Sequence, residues 1–407
     1  MVYGFGQGVN ILGPLLVMPH IISVCGESGL GKVGVGFSIA LILNGIVDYG
    51  SYINGVRDIS INRGNPEFIR KKFQDIYASK ILLLLGVSCI FSLLVLFLPY
   101  LAKEKALYFL SLPVVVGQFL SPAWYLQGIE DFKAISFANV VSKIIYIAAV
   151  FLFISDASDY GLANFFFGMG TIIANLVLLA YVVRRTGMTF SGMNFAGGRK
   201  ILKDEFSFSS SQFFLSIYQY FPIVAISYLG GDFMAGQFRI IDQIVSVFKS
   251  YLLMFFYFTY GNICYEINAA FRRGLRIWAG YNGLNFLVTA FTLFIVSCFT
   301  EELFAYFKVS DATSQNLVFY FRIGLIVPLL VSLSLPLRQL MFAFEKNRIY
   351  IRITILATCA NVLVLAILTS LEGLGGALLS IILIEVVIIT LYLAILSKHV
   401  LKALKPD

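Results

Sequence analysis

Charge is what this chain has least of. Asp, Glu, Lys and Arg fill 13% of its 407 positions, against about a quarter in an ordinary soluble domain. Hydrophobic residues fill 59%, and no polar stretch is long enough for a separate soluble domain, which excludes a soluble enzyme. Histidine is nearly missing: His20 and His399 lie far apart in sequence and make no catalytic or metal pair. The five cysteines, Cys25, Cys89, Cys264, Cys298 and Cys359, lack metal-ligand spacing, and at least three lie in apolar runs. Neither a zinc site nor a disulfide framework is expected, and no cofactor is called for. A basic leader is also lacking. The first apolar run begins almost at Met1 and leads straight into the next, so no cleavable signal peptide is read.

What the chain has is apolar runs of membrane-spanning length. A spanning helix needs roughly 20 mostly apolar residues, because in lipid the backbone must satisfy its own polar groups. We read twelve: 3–24, 33–55, 79–99, 107–127, 135–154, 161–183, 208–229, 237–260, 277–298, 317–338, 353–371 and 375–397. The expected fold class is therefore an all-α integral membrane protein of about twelve transmembrane helices. Loops 56–78, 128–134, 184–207, 261–276 and 339–352, with the tail from Lys398, hold 20 of the 30 Lys and Arg, and the opposite loops hold four. The positive-inside rule puts the heavy side and both termini in the cytoplasm. The net charge of +8 is thereby explained: clusters such as Arg70-Lys71-Lys72 and Arg184-Arg185 face anionic headgroups, and no nucleic acid is implied.

Segment 184–207, with Gly197-Gly198, is the longest polar interruption near the chain centre. It is expected to link a six-helix lobe at 1–183 to a second at 208–397, with a cytoplasmic tail at 398–407. Two such halves share one orientation and form a repeat related by an axis along the membrane normal, an arrangement in which transporters bind substrate near the midplane.

Several spans carry polar residues at helical spacing, which marks a face turned to protein or to a water-filled cavity. The first has Tyr3, Gln7 and Asn10; the second Asn44, Asp48 and Tyr52; the fifth Asn139, Ser142, Lys143 and Tyr146; the seventh Gln212, Ser216, Gln219 and Tyr220. The eighth is richest, with Arg239, Asp242, Gln243, Ser246 and Lys249, and the eleventh adds Thr358 and Asn361. A charge at mid-span costs at least ~2.5–3.5 kcal/mol, so each needs a partner, water or a function. Lys143, Lys249 and Glu385 fall near mid-depth. Lys143 and Lys249 have no carboxylate three or four residues away and are candidate substrate-binding cations, with an ion pair to another helix as the alternative. Arg239 and Arg322 lie near the outer surface and are read either as binding cations or as snorkelling side chains. Arg239 and Asp242 can instead pair with each other. Asp48, Asp242 and Glu385 are the candidate cavity acids or proton-coupling groups. Lys80 and Arg338, at cytoplasmic ends, are read as plain snorkelers. More cation than anion suits an anionic substrate.

Three segments resemble the bacterial polysaccharide transporter family, the Wzx-type O-antigen and capsule flippases of the multidrug/oligosaccharidyl-lipid/polysaccharide exporter superfamily. Leu15-Leu16-Val17-Met18-Pro19-His20 with Gly26, Gly29 and Gly31 resembles the family's first helix and turn, with Cys25 and Leu30 in place of the usual leucine and aromatic residue. Val47-Asp48-Tyr49-Gly50 through Arg57-Asp58-Ile59 is similar to the motif ending the second helix. Pro122-Ala123-Trp124-Tyr125-Leu126-Gln127-Gly128-Ile129-Glu130, after the fourth, is the most specific.

The resemblance implies two six-helix lobes forming a V around a central cavity. It further implies a substrate, undecaprenyl-diphosphate-linked oligosaccharide, moved from the cytoplasmic to the periplasmic leaflet of the bacterial inner membrane by alternating access. A polysaccharide polymerase and a chain-length regulator are the expected partners. Members usually carry a few more residues before the first helix, which implies a start upstream of Met1. Arg57 is expected to bond Glu130 and brace the Trp124–Glu130 turn, Gln127 included, as a cytoplasmic gate.

Three other readings fit the sequence less well. A lipid-linked oligosaccharide polymerase needs a sizeable periplasmic loop with catalytic residues, and loop 299–316 is short and has no arginine. A cation-coupled drug exporter should show acids dominating the cavity. A purely structural membrane protein has no need of charges at mid-depth.

Overall fold

An apolar backbone in lipid has two stable forms, helix and closed barrel, and among the described residues every regular element is helical. The computed structural model describes residues 2–190, 192–309 and 311–404. The side chains of residues 2–7, 10, 11, 207, 208, 311–315 and 398–404 lie outside that description, and with them the expected stripe of Tyr3, Gln7 and Asn10.

By contact the chain divides into two compact units, Met1–Tyr228 and Leu229–Asp407. In the first come α1 (Val2–Asp48), a π-helical turn (Ser51–Gly55), α2 (Val56–Ile61), α3 (Pro66–Phe97), α4 (Pro99–Ala102), α5 (Lys105–Leu120) and α6 (Ala123–Gly128). They are followed by α7 (Phe132–Phe153), a 3-10 turn (Ala157–Gly161), α8 (Leu162–Thr186) and α9 (Phe195–Asp204). Helix α10 (Phe206–Ala269) runs from the first unit into the second. The second unit continues with α11 (Phe271–Cys298), α12 (Thr300–Phe307), α13 (Asp311–Gly324), α14 (Ile326–Ala343) and α15 (Asn347–Leu404).

Among the described residues nine helical stretches are long and apolar enough to cross a bilayer. Three of them, Leu12–Asp48, Ser209–Ala269 and Asn347–Ser397, run 37, 61 and 51 residues. At 1.5 Å per residue those are roughly 55–90 Å long against a hydrocarbon core of about 30 Å, so each supplies two crossings. Each is broken at one glycine with positive φ: Gly26 at 71°, Gly231 at 85° and Gly373 at 57°. A side chain there would strain the backbone, and glycine has none. At Gly373 the chain turns back so tightly that a Cβ on Gly376 would collide with the Leu368 carbonyl oxygen; in a straight helix those residues lie about 12 Å apart. The breaks fall between the first and second, seventh and eighth, and eleventh and twelfth expected spans, and all twelve are found.

Local chemistry moves some boundaries. The second span ends at Asp48, not residue 55, because Tyr49 (φ 48°) and Gly50 (φ 76°) leave helical space before the π-helical turn. The fourth stops at Leu120: Ser121 precedes Pro122 and is extended (ψ 116°), as a residue before proline prefers, and α6 starts afresh. Segment 184–207 is more than a polar connection. Its Gly198 lies so close to α3 that a Cβ would come within 2.8 Å of the Ser79 backbone nitrogen. The Gly-Gly pair lies within α9 and is a contact surface against α3.

In the first unit α5, α7 and α8 pack side by side, with α1 against α7 and α5. Gly168 lets α8 approach the Pro113–Val114 backbone of α5 closely, the small-residue packing on which membrane helices rely. Ile59, Phe73, Tyr77, Trp124, Tyr125 and Leu178 are among the residues of a buried cluster joining α2, α3, α6 and α8. The second unit has its own cluster, including Ile263, Ile267, Leu340, Met341, Tyr392 and Leu396 from α10, α14 and α15.

Candidate functional site

Lys143 lies mid-way along α7 and is 5% exposed. Its Nζ sits 3.7 Å from the centroid of the Phe167 ring on α8. Its stem runs along Gly13 of α1, where a Cβ would come within 3.2 Å of the lysine Cδ. Ser142 and Thr171 hydroxyls meet beside it at 3.4 Å, and the Phe167 ring is itself held edge-on by Tyr146 and Phe37. Among the described residues Lys143 makes no ion pair. The face of an aromatic ring stabilises a desolvated cation by about 2 kcal/mol, less than burial costs it. An anion arriving beside its Nζ would therefore favour the protonated, charged form of the lysine.

Asp48 is a different case. Lys80 donates to its Oδ1 at 2.9 Å, and Ser51 Oγ donates to the same atom at 2.7 Å. Lys80 is 1% exposed, so the reading of Lys80 as a snorkeler is corrected: α3 aims it inward because a carboxylate waits at the end of α1. The Tyr52 ring lies 5.8 Å from its Nζ, and the Tyr52 hydroxyl accepts from Gln118 at 3.1 Å.

The expected Arg57–Glu130 bond is not formed. Arg57 turns to its neighbour Asp58 at 3.1 Å, and Glu130 pairs with Arg63 at 2.8 Å. Arg63 also donates to the Gly128 carbonyl at 2.8 Å. Glu130 has φ 64°, which turns its side chain to where Arg63, at the end of the α2 segment, reaches it. Arg63 thus braces the turn. Asp58 meets Lys72 at 2.9 Å, Lys72 meets Glu205 at 3.4 Å, and Asn54 donates to Glu205 at 2.9 Å. The polar chain ties α2 and α3 to the start of α10, while the Tyr49 hydroxyl donates to Leu202 of α9 at 2.6 Å. Trp124 is fully buried against Phe73 and Tyr77, and its indole N–H has no hydrogen-bond partner among the described residues. It is a core residue of the turn. Gln127 is half-buried on the same short helix.

In the second unit Arg239 and Asp242 pair at 3.6 Å on one face of α10. Lys249, ten residues on and so about 15 Å along the helix, is half-buried and makes no ion pair among the described residues. Arg322 is exposed near the end of α13. Glu385 is 7% exposed and, with Arg338 and Tyr350, adjoins Tyr392. The snorkelling reading of Arg338 is corrected as well. Its guanidinium stacks 4.7 Å from the Phe256 ring centroid, with Nε buried and unbonded among the described residues. Gln339 next to it, missed in the sequence, is a buried hub that donates to the Phe256 carbonyl and Thr259 hydroxyl and accepts from Asn282. A lone glutamine in an apolar span was the available signal.

The described structure places Lys143 in one unit and Arg239, Lys249 and Arg322 in the other. Among the described residues the embedded acids Asp48 and Asp242 are paired with basic residues, whereas Lys143, Lys249, Arg322 and Arg338 make no ion pair.

Comparison with known proteins adds relatives. Residues 1–259 match a family described as polysaccharide biosynthesis protein. Over 246 residues the chain is 24% identical to a putative O-antigen transporter of Escherichia coli (strain K12), covering 60% of this chain and 59% of that protein. It is also 24% identical to a putative O-antigen transporter of Shigella dysenteriae, over 94% of this chain and 95% of that protein. Among solved structures, an inward-facing multidrug resistance transporter of the MATE family superposes with a TM-score of 0.74 at 14% identity, covering 99% and 100% of the two chains. The lipid II flippase MurJ in an inward closed conformation gives 0.74 at 12% identity, covering 97% and 87%. At these identities the likeness is one of fold: this chain shares the all-α, multi-pass membrane fold of those two proteins.

Proposed function

The chain belongs to the polysaccharide biosynthesis protein family, and from that premise we propose that it is a membrane transporter, a flippase for lipid-linked oligosaccharide. The substrate class is an undecaprenyl-diphosphate-linked repeat unit for O-antigen or capsular polysaccharide, moved from the cytoplasmic to the periplasmic leaflet of a bacterial inner membrane by alternating access. The names of the two O-antigen transporter relatives support the class of cargo.

One observation carries the reading: Lys143, buried in the membrane-embedded core with an aromatic face and no carboxylate. A diphosphate headgroup is the kind of ligand such a cation stabilises, and lysine suits a passing anion because it binds as a point charge without bidentate geometry. Lys249, also unpaired, is proposed as a second contact, with Arg239 and Arg322 as exit-side cations. Drug export coupled to a cation is less well supported, because Asp48 and Asp242 each already have a basic partner.

The test is transport of fluorescent lipid-linked oligosaccharide in liposomes containing the purified protein. Lys143→Ala or Lys249→Ala should lower flipping at least about tenfold, the effect of losing one charge-assisted contact of about 1.5–3 kcal/mol, with Lys143→Arg retaining part of it. Wild-type rates in both alanine variants would remove the cationic mechanism. Transport of cationic drugs but not of the lipid would favour the exporter.

A further inference from the structure

A further open surface lies on the first unit, with Lys143 outside its lining. Between α7 and α8 is an open apolar groove of about 970 Å³, and a smaller hollow of about 540 Å³ adjoins it and shares Val177, Tyr181 and Arg185. We propose that this groove seats one anionic glycerophospholipid of the leaflet that meets loops 128–134 and 184–207, its phosphate held by Lys133 and Arg184.

Depth is the first argument. The groove runs on α7 from Asp131 to Val141 and on α8 from Arg185 to Ala174. Those are separations of ten and eleven residues, about 15–16 Å along each helix, half of a hydrocarbon core of about 30 Å. It is one leaflet deep, the reach of an acyl chain; a polyprenyl tail overruns it. Its walls are apolar along their length, with Phe137 and Val177 exposed on either flank.

Charge at the mouth is the second. Four charged groups line the larger groove there, and Arg184 lines the smaller hollow. Glu130 is neutralised by Arg63, and Asp131 by Arg185 at 2.7 Å with the Tyr181 hydroxyl donating to it at 2.9 Å. Lys133 and Arg184, both exposed, make no ion pair among the described residues. The Asp131–Arg185 bridge clamps the start of α7 to the end of α8 and sets these two uncompensated cations at one end of the groove. Basic pockets between spanning helices at the headgroup level recognise anionic lipid. The inference needs the membrane fold alone and does not depend on what the protein transports.

The experiment is native mass spectrometry of the full-length protein in detergent, titrated with phosphatidylglycerol or phosphatidylcholine. Wild type should retain one phosphatidylglycerol in preference to phosphatidylcholine. Lys133→Glu with Arg184→Glu should weaken that site roughly thirty-fold or more, as the loss of two surface cations implies. Val177→Trp, at an exposed wall position, should block it without touching the charges. Equal retention of the two lipids by wild type, or unchanged retention in both variants, overturns the proposal. In a parallel titration with undecaprenyl diphosphate, loss of its binding in the Lys133/Arg184 double variant with phosphatidylglycerol binding intact also overturns the proposal and gives the groove to the substrate's headgroup.

Discussion

At the scale of single residues, the embedded charges differ in whether a partner exists. Asp48 and Lys80 satisfy one another at 2.9 Å inside the first unit. Removing one member of a buried pair costs about 3–5 kcal/mol, whereas replacing both by neutral groups of similar size is far milder. Asp48→Asn alone should therefore lower the melting temperature of the purified protein markedly, and Lys80→Met added to it should restore most of the loss. A fall in the double variant as large as in the single would mean the pair is not the reason for the effect. Any assay of Asp48 as a proton-coupling group has to be made in that double background, since otherwise lost folding imitates lost coupling. The Arg63–Glu130 pair makes a sharper case against the expected partner. Arg63→Glu should reduce export, and Glu130→Arg added to it should recover it, while Arg57→Ala leaves export unchanged. An exposed pair is worth about 0–1 kcal/mol, so the readout is transport and not stability. Recovery on swapping Arg57 with Glu130 would reinstate the pairing that the sequence order had implied.

At the scale of elements, short polar contacts fix where long helices begin and end. On the side opposite the basic loops, Lys32 bonds Glu104, which also accepts from the Tyr160 hydroxyl at 2.6 Å. This joins the turn after Gly26, the start of α5 and the 3-10 turn before α8. Burial pushes the Glu104 carboxyl up, but the hydrogen bonds from Lys32 and Tyr160 and the lysine's charge outweigh it, and it titrates below its ordinary value. A carboxyl whose folded value is depressed adds stability that is present above its unfolded value and lost as pH falls through the folded one. Glu104→Gln should thus lower the melting temperature at pH 7, and the difference from wild type should vanish under acid conditions below about pH 4. A difference that persists there would assign the effect to packing. This element-level wiring was poorly legible in the sequence. Lys32 and Glu104 are 72 residues apart, and no periodicity links them.

For the whole molecule, we propose from the charge count that the basic loops and both termini are cytoplasmic. Single cysteines at Pro66 and Asn194 should be protected from an impermeant thiol reagent added to intact cells and labelled once the membrane is opened. Labelling of either before opening would reverse the orientation.

How much of this protein could be read beforehand follows from the range of each interaction. Spanning helices are local: about 20 apolar residues must hydrogen-bond within themselves in lipid wherever they are placed. Twelve spans, including three pairs broken at Gly26, Gly231 and Gly373, therefore followed from composition and order. The likeness of Pro122–Glu130 to a polysaccharide transporter motif was equally local, and the family match agrees with it. Lys143 could be picked out because it has no carboxylate within one helical turn. Its neighbours Phe167 and Gly13 could not, because they come from other helices. Lys80 and Arg338 look like end-of-helix snorkelers by position, and tertiary packing turned one toward a carboxylate and the other over an aromatic ring. Whether a charge in a membrane helix faces water, lipid or a partner depends on which helix packs beside it. That is a property of the assembled bundle, because one helix presents every direction and its neighbours select among them.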